Sequence, residues 1–220
     1  MSNPWQCGML REHVQATYKK PEEIVETIDS INRAIDIFHY HAYTAKEAYE
    51  RIESGDIQHL AFALFSRSDE GVKIREEKLI VQANTVAAIQ SSRAILDLFA
   101  YMVRAVLNLK SIPKNKCGIG SVSSALPNSE LKKLFEDLKN DEDFKYINAL
   151  TNVLKHRIHI PFEITVSTVG GKSGVAVRAF EYEGHYPRKW AEEALTSAFN
   201  VKNIVIEGGR RLNRECGLDN

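Results

Sequence analysis

The spacing of apolar residues predicts two long helices in the first half of the chain. In the first helix, apolar residues recur every three or four positions, the period of an amphipathic helix, at Ile24, Ile28, Ile31, Ile35 and Phe38. Pro21, followed by two acidic residues, suits the start of this helix. The pattern continues to Ile52, Gly55 is the predicted end, and Thr44 is a candidate break.

The second long helix is predicted from about Val72 to Leu109. Its apolar positions again follow the helical period, at Leu79, Val86, Ile89, Leu96, Phe99, Val103 and Val106. Residues 94–109 form the most apolar stretch of the chain, yet this stretch is short for a bilayer and carries Asp97 and Arg104. We therefore expect a core helix that is buried on nearly all sides.

The remaining pattern predicts shorter elements and one change of period. In chain order these are a loop over 111–128, helices over 131–138 and 144–156, a β-hairpin over 162–182 that turns at Gly170-Gly171, and a final helix from Pro187 to about Arg214. Together they predict a mainly α (α+β) fold, an antiparallel bundle of four to five helices with one inserted hairpin. We expect an N-terminal extension over 1–20 and a single domain over 21–220.

Composition and charge favour a soluble protein of the cytoplasm. Apolar residues make up 44% of the chain, and 29 basic residues balance 29 acidic ones. This balance argues against a protein that mainly coats nucleic acid. The N-terminus lacks the pattern of a signal peptide. The three cysteines lie far apart, without the spacing of a disulfide framework or a zinc site, so free thiols in a reducing compartment are expected.

A polar stripe on the helix over 144–156 is the first candidate site. Asn148, Asn152 and His156 are spaced by four and therefore share one helix face. Asparagine is a poor helix former, so two at this spacing need an explanation. A solvated face or a hydrogen-bond network that fixes the helix register is one explanation, and a functional site is the other.

A second polar stripe interrupts the apolar part of the long helix. Arg93, Asp97, Tyr101 and Arg104 lie on one face, and a charge in such a segment needs a partner. Arg93 with Asp97 is the local pair. The alternative is that Asp97 faces His156 across the bundle, where a carboxylate would orient the imidazole for acid–base chemistry.

A long apolar helix with internal charges, a loop, and a helix that ends in Asn-x-x-x-His resembles the HEPN superfamily of small helical domains. The resemblance covers about residues 75–160. The family motif places an arginine before the polar residue, and this chain has Thr151 there, with Asn152 and His156 at the other two positions. Many members are metal-independent RNases, in which the arginine holds phosphate and the histidine acts on the 2′-hydroxyl. Others bind nucleotides or serve as interaction modules.

The resemblance implies a nucleotide or RNA as ligand and a homodimer as the assembly, and it leaves open whether this chain is an enzyme. His156 and Asn152 are the candidate catalytic residues. The candidate binding residues are Arg93, Asp97, Arg104, Asn148, Lys155 and Arg157. No metal or cofactor is predicted, and no membrane. A non-catalytic module that binds a protein partner is the alternative function.

Basic residues cluster next to this site and again in the last helix, at Lys155, His156, Arg157 and His159 and at Arg210, Arg211 and Arg214. The first cluster would hold phosphate oxygens if it faces a groove, and a solvated surface is the alternative. The run Gly170-Gly171-Lys172-Ser173 lacks the first glycine of a phosphate-binding loop and lies in a predicted hairpin, so we do not interpret it as one.

Overall fold

The computed structural model describes residues 5–53, 60–61, 64–65, 68–166 and 172–218. Within them lie seven α-helices: α1 Cys7–Thr17, α2 Glu22–Glu53, α3 Asp69–Val106, α4 Ile119–Ala125, α5 Glu130–Leu138, α6 Glu142–His156 and α7 Ala191–Glu215. Of the described residues, 72% are helical, and a few form short antiparallel strands. The prediction of a mainly α fold with a small hairpin is therefore confirmed.

The helix α2 runs without interruption through Thr44, the candidate break. The hydroxyl of Thr44 donates to the carbonyl of Tyr40 at 2.8 Å, so its polar group is satisfied inside the helix. The observed start at Glu22 agrees with the predicted one. The predicted end at Gly55 lies outside the described residues.

The helix α3 keeps part of its surface in water, against the prediction that its apolar stretch is buried on nearly all sides. The side chain of Asp97 is half exposed, because a carboxylate is costly to bury. Among the described helices, α3 alone has the length and composition of a membrane span, but half of its most apolar window is buried within the protein. The core helix of a soluble protein has the same properties, so this is weak evidence for a membrane.

The segment predicted as a loop over 111–128 contains a 3₁₀ turn, Lys114–Lys116, and the helix α4. The prediction of a plain loop is wrong. Gly118 lies at the helix start, and its N–H donates to the Ser121 hydroxyl at 3.0 Å. Burial of Ile119 and Val122 then stabilises a segment whose glycine and serine content gives no helical signal.

Capping side chains start the next two helices where the sequence places them. The Ser129 hydroxyl accepts the N–H of Lys132 at 3.3 Å at the start of α5. The Asp141 carboxylate accepts the N–H of Phe144 at 2.8 Å at the start of α6. The helix α6 ends at His156, and Pro161 follows soon after.

The predicted hairpin forms between β1, Phe162–Thr165, and β2, Gly174–Val177, with Phe162 opposite Val177. Its turn at Gly170-Gly171 lies outside the described residues. A third strand, β5 Lys189–Trp190, pairs with the other side of β2. The strands β3 Phe180–Glu181 and β4 His185–Tyr186 form a separate antiparallel pair. The second arm of the predicted hairpin therefore ends at Val177.

The last helix begins at Ala191, and the prediction that it starts at Pro187 is wrong. Residues 189–190 instead pair with β2. The N–H of Trp190 donates to the carboxylate of Glu193 at 2.8 Å, which caps the helix at this later point. The helix continues through Gly208 and Gly209 to Glu215.

The chain divides into two compact units. Unit 1 comprises residues 1–36, 91–145 and 199–220, and unit 2 comprises residues 37–90 and 146–198. The single domain predicted over 21–220 stays a prediction. The predicted N-terminal extension contains α1, whose Leu10 and Val14 are fully buried.

Each unit has its own apolar core. In unit 1 the rings of Phe99 and Phe135 stack with centroids 5.8 Å apart. In unit 2 α2 and α3 run antiparallel: His41 is hydrogen-bonded to Asn84, and an ion pair joins Arg51, further along α2, to Glu77, nearer the start of α3.

Candidate functional site

A cleft of about 620 Å³ lies in unit 2, where the chain leaves α6. The segment 157–161 forms one wall, and residues 178–181 form the other. Three basic side chains, Arg157, His159 and Arg178, line it together with the apolar residues Ile158, Ile160 and Phe180. One acidic residue, Glu181, also lines the cleft, so basic side chains outnumber acidic ones there beside an apolar surface.

Backbone hydrogen bonds fix both walls of the cleft, and one of them joins the two walls. The N–H of Arg178 donates to the carbonyl of Pro161 at 3.1 Å, directly after β2. In the other wall, the segment just after α6 is bonded back to that helix: the carbonyl of Val153 accepts the N–H groups of both Arg157 and Ile158. The two arginines thus come from segments of fixed backbone, which lowers the entropy lost when they bind a ligand.

Arg157 is positioned by contacts along its side chain. Its Nη1 donates to the carbonyl of Glu181 at 3.4 Å, and its guanidinium lies 4.9 Å from the centroid of the Tyr182 ring. A guanidinium stacked on an aromatic face keeps its remaining N–H groups available at the ring edge. Arg178 is mostly exposed and lies 3.6 Å from a carboxylate oxygen of Glu163.

The apolar side of the cleft continues into an aromatic cluster. The Phe180 ring stacks on Tyr186 with centroids 5.0 Å apart, and Tyr146 contacts both rings. Burial raises the pKa of the Tyr146 hydroxyl above its ordinary value. This hydroxyl is buried and has no hydrogen-bond partner within the described part of the chain. Ile158, which also lines the cleft, is 61% exposed.

The polar stripe on α6 lies beside this cleft rather than in it. Asn152 donates from Nδ2 to the backbone carbonyl of Asn148 at 2.9 Å, and both side chains are half-buried. His156 and Lys155 are exposed at the helix end. The stripe is thus partly engaged within its own helix, and His156 remains accessible to solvent.

Thr151, at the position of the motif arginine, faces the core of unit 2. It is only 3% exposed, and its hydroxyl is buried without a hydrogen-bond partner among the described residues. Thr151 therefore offers no charge to a ligand, and Arg157 is the arginine nearest to it along the chain.

The charged stripe of α3 lies in unit 1, where its members have local partners. The predicted pair of Arg93 with Asp97 forms, and the Arg93 guanidinium lies 5.9 Å from the centroid of the Phe144 ring. Arg104 donates from Nε to the carbonyl of Ile112 at 2.7 Å. The proposed pairing of Asp97 with His156 joins residues of different units and stays a prediction.

Sequence reasoning missed Arg178 as a site residue and named His159 only as part of a basic cluster. Arg178 follows the second arm of the hairpin, so its position at the cleft depends on how the hairpin folds back on the segment after α6. The only signal in the sequence is a basic residue at the end of a period-two run. His159 gives a weaker signal still, because it lies beyond the helix where periodicity is lost.

The described residues contain no group of three or more His, Cys, Asp or Glu that could hold a metal ion. All three cysteines are free. No protein-family model, curated protein or solved structure matches the chain. The chemistry of the cleft is therefore the main support for a functional proposal.

Proposed function

We propose that this chain is a HEPN-like cytoplasmic domain that binds a nucleotide or RNA through the cleft of unit 2. The observation that carries the proposal is the convergence of Arg157, His159 and Arg178 on a single apolar cleft. Guanidinium groups bind phosphate through paired hydrogen bonds, and an imidazole adds a further donor. The apolar lining suits the face of a base or a ribose.

The size of the cleft agrees with this ligand class. Its volume of about 620 Å³ lies inside the range of roughly 300–1,000 Å³ that is usual for sites of small organic ligands. The cleft opens to solvent along the exposed end of α6, so a longer RNA would continue past Lys155 and His156. Asn148 and Asn152 lie further along that helix and would contact the sugar or base.

We propose binding without cleavage as the primary activity. In metal-independent cleavage a base removes the proton of the 2′-hydroxyl, its oxygen attacks the adjacent phosphorus, and the 5′-oxygen leaves with a proton. His156 is accessible and is the residue for the first proton transfer. The motif position that would hold the phosphate is occupied by the buried Thr151, which supports a binding role.

The binding test is fluorescence anisotropy with a labelled single-stranded RNA of about ten nucleotides. Arg157→Ala and Arg178→Ala should each weaken the Kd by roughly 10- to 100-fold, as expected for loss of a charged hydrogen bond to phosphate. Arg75→Ala is the matched control, because Arg75 is an exposed arginine of α3 in the same unit and lies outside the cleft. Equal losses in all three variants would mean that only net charge matters.

The cleavage test incubates the same RNA with wild type and His156→Ala. We expect intact RNA in both samples, together with weaker binding by the variant. Cleavage by wild type that disappears in His156→Ala would replace the binding role with an RNase role at the same site. An RNA that binds neither protein would overturn both.

An exposed apolar face on α2 supports the alternative of an interaction module. Ile37, Tyr40 and Tyr43 are each more than half exposed. Large apolar side chains grouped on a surface are typical of protein contacts. The partner we infer is a second copy of this chain, because an antiparallel α2 pair centred on Tyr40 would place Ile37 beside Tyr43 of the second copy.

Light scattering with size-exclusion chromatography tests this alternative. Wild type should have twice the chain mass, and Tyr40→Glu should have the chain mass, because two carboxylates would meet at the centre of the interface. Lys73→Glu, at an exposed position of α3, is the control for added negative charge. A monomeric wild type would contradict the dimer.

A further inference from the structure

A second cavity, of about 200 Å³, lies in unit 1 between the start of α2 and the end of α3. Its charged lining consists of Lys20, Arg104 and Lys110 together with one acidic residue, Glu23. The whole chain is electrically neutral, with 29 basic and 29 acidic residues. The positive excess at this cavity is therefore a local feature.

The C-terminal end of α3 brings Arg104 and Lys110 to the cavity. Asn108 has a positive φ of 52°, and the N–H of Leu109 donates to the carbonyl of Arg104 at 3.0 Å, which ends the helix in a tight reversal. Lys110 follows directly after this reversal. The Nε of Arg104 donates to the carbonyl of Ile112, which fixes the guanidinium; among the described residues this is the one hydrogen bond that its five N–H groups form.

The single carboxylate of the cavity is directed to other partners. Glu23 accepts hydrogen bonds from the Lys114 ammonium, at 2.6 Å for its Oε2, and from the Tyr101 hydroxyl. Hydrogen bonds from Lys114 and Tyr101 hold the pKa of Glu23 below its ordinary value. Lys20 and Lys110 are exposed and form no ion pair within the part of the chain that the structure describes.

We propose that this cavity binds a phosphate group, either free phosphate or the terminal phosphate of a nucleotide. Two ammonium groups and a guanidinium that converge on a small polar cavity match the charge and the several acceptor oxygens of a phosphate dianion. The volume is below the range of roughly 300–1,000 Å³ for larger organic ligands, which favours a group of few atoms. The site is independent of the cleft in unit 2.

Isothermal titration with inorganic phosphate at constant ionic strength tests the site. The double variant Lys20→Ala/Lys110→Ala should bind about tenfold more weakly than wild type, the effect expected for two partly exposed charge contacts. Lys133→Ala/Lys139→Ala removes the same charge from exposed positions in and just after α5, in the same unit but outside the cavity, and should bind like wild type.

Glu23→Gln supplies a change of opposite sign. Removal of the carboxylate from the lining should tighten phosphate binding roughly two- to fivefold, since a like charge next to the anion is lost. A general loss of fold would weaken binding instead, so this variant separates the proposed site from a folding defect. No phosphate binding by wild type, or equal losses in the two double-lysine variants, would overturn the proposal.

Titration with adenosine 5′-monophosphate and with adenosine separates the two sources of phosphate. Monophosphate binding that the Lys20→Ala/Lys110→Ala variant weakens, with no such effect on adenosine, would assign the cavity to a nucleotide's terminal phosphate. Binding of inorganic phosphate without this monophosphate effect would assign it to free phosphate.

Discussion

A glycine in α7 allows the indole of Trp5 to lie directly against that helix in unit 1. A Cβ at Gly209 would lie 2.3 Å from Cδ2 of Trp5, far inside van der Waals contact. Trp5 is 8% exposed, and its Nε1 donates to Asn213 at 3.3 Å. The indole also contacts the Phe99 ring edge-on, with centroids 6.3 Å apart. The perturbation of interest is therefore Gly209→Ala.

Two opposing contributions set the size of the effect. Alanine is favoured over glycine inside a helix by about 1 kcal/mol. The new methyl group, however, meets the fused centre of the indole, which cannot move without loss of its buried contacts. Overpacking costs about 1–3 kcal/mol, and complete loss of a buried tryptophan about 3–5 kcal/mol. A cost between these two cases, about 2–4 kcal/mol, less the helix gain of about 1 kcal/mol, leaves a net loss of about 1–3 kcal/mol in the free energy of unfolding of Gly209→Ala.

Urea unfolding followed by circular dichroism measures this change. In thermal unfolding of a chain of this size, the melting temperature should fall by about 2–4 °C for each kcal/mol of stability lost. Gly120→Ala in α4 is the control, because a Cβ there meets nothing within 4 Å. Its stability should be unchanged or slightly higher. If Gly209→Ala were as stable as Gly120→Ala, the close approach of Trp5 to α7 would be refuted.

Three further predictions concern single side chains. Tyr146→Phe should leave stability unchanged or raise it by up to about 2 kcal/mol in chemical unfolding, because it removes a buried hydroxyl that has no partner among the described residues. A marked loss of stability would show that the hydroxyl is bonded. Hydrogen bonds from Arg211 and Arg210 lower the pKa of Glu207, so the stability lost in Glu207→Gln should be largest near pH 7 and should shrink as the pH falls through that lowered pKa, in melting curves across the acidic range; a difference that does not depend on pH would contradict it. His156→Ala should change stability by less than about 0.5 kcal/mol, because the ring is exposed; a loss above about 1 kcal/mol would mean that the imidazole has a structural role.

Helices with a strong apolar period were predictable from the sequence. The period from Ile24 to Phe38 located α2, and the start signals at Ser129 and Asp141 located α5 and α6. These signals are local, because capping and amphipathic spacing act within one or two turns. The observed bounds differ from the predicted ones by only a few residues.

Elements that depend on tertiary contacts were not predictable in this way. The helix α4 has a poor helical composition and is stabilised by the burial of Ile119 and Val122. The strand Lys189–Trp190 is too short to show a period and exists because it pairs with β2. In both cases the stabilising contacts are made with residues outside the element itself.

The candidate site was predictable only in part. The basic end of α6 was identified, including Arg157, because its residues are close in sequence. Arg178 joins them through the backbone hydrogen bond between its N–H and Pro161, which no local pattern indicates. The orientation of Thr151 toward the core is likewise a result of packing.

The proposed ligand site in the unit 2 cleft is tested most directly by NMR of the histidine side chains during titration with a single-stranded RNA trinucleotide. We expect the ring signals of His159 and His156 to shift with added RNA, since His159 lies in the cleft and His156 lies beside it. The signal of His41, whose Nδ1 is hydrogen-bonded to Asn84 at 2.9 Å on the α2–α3 pair, should not shift. Unchanged signals for His159 and His156, or shifts of the same size at His41, would contradict the proposed site.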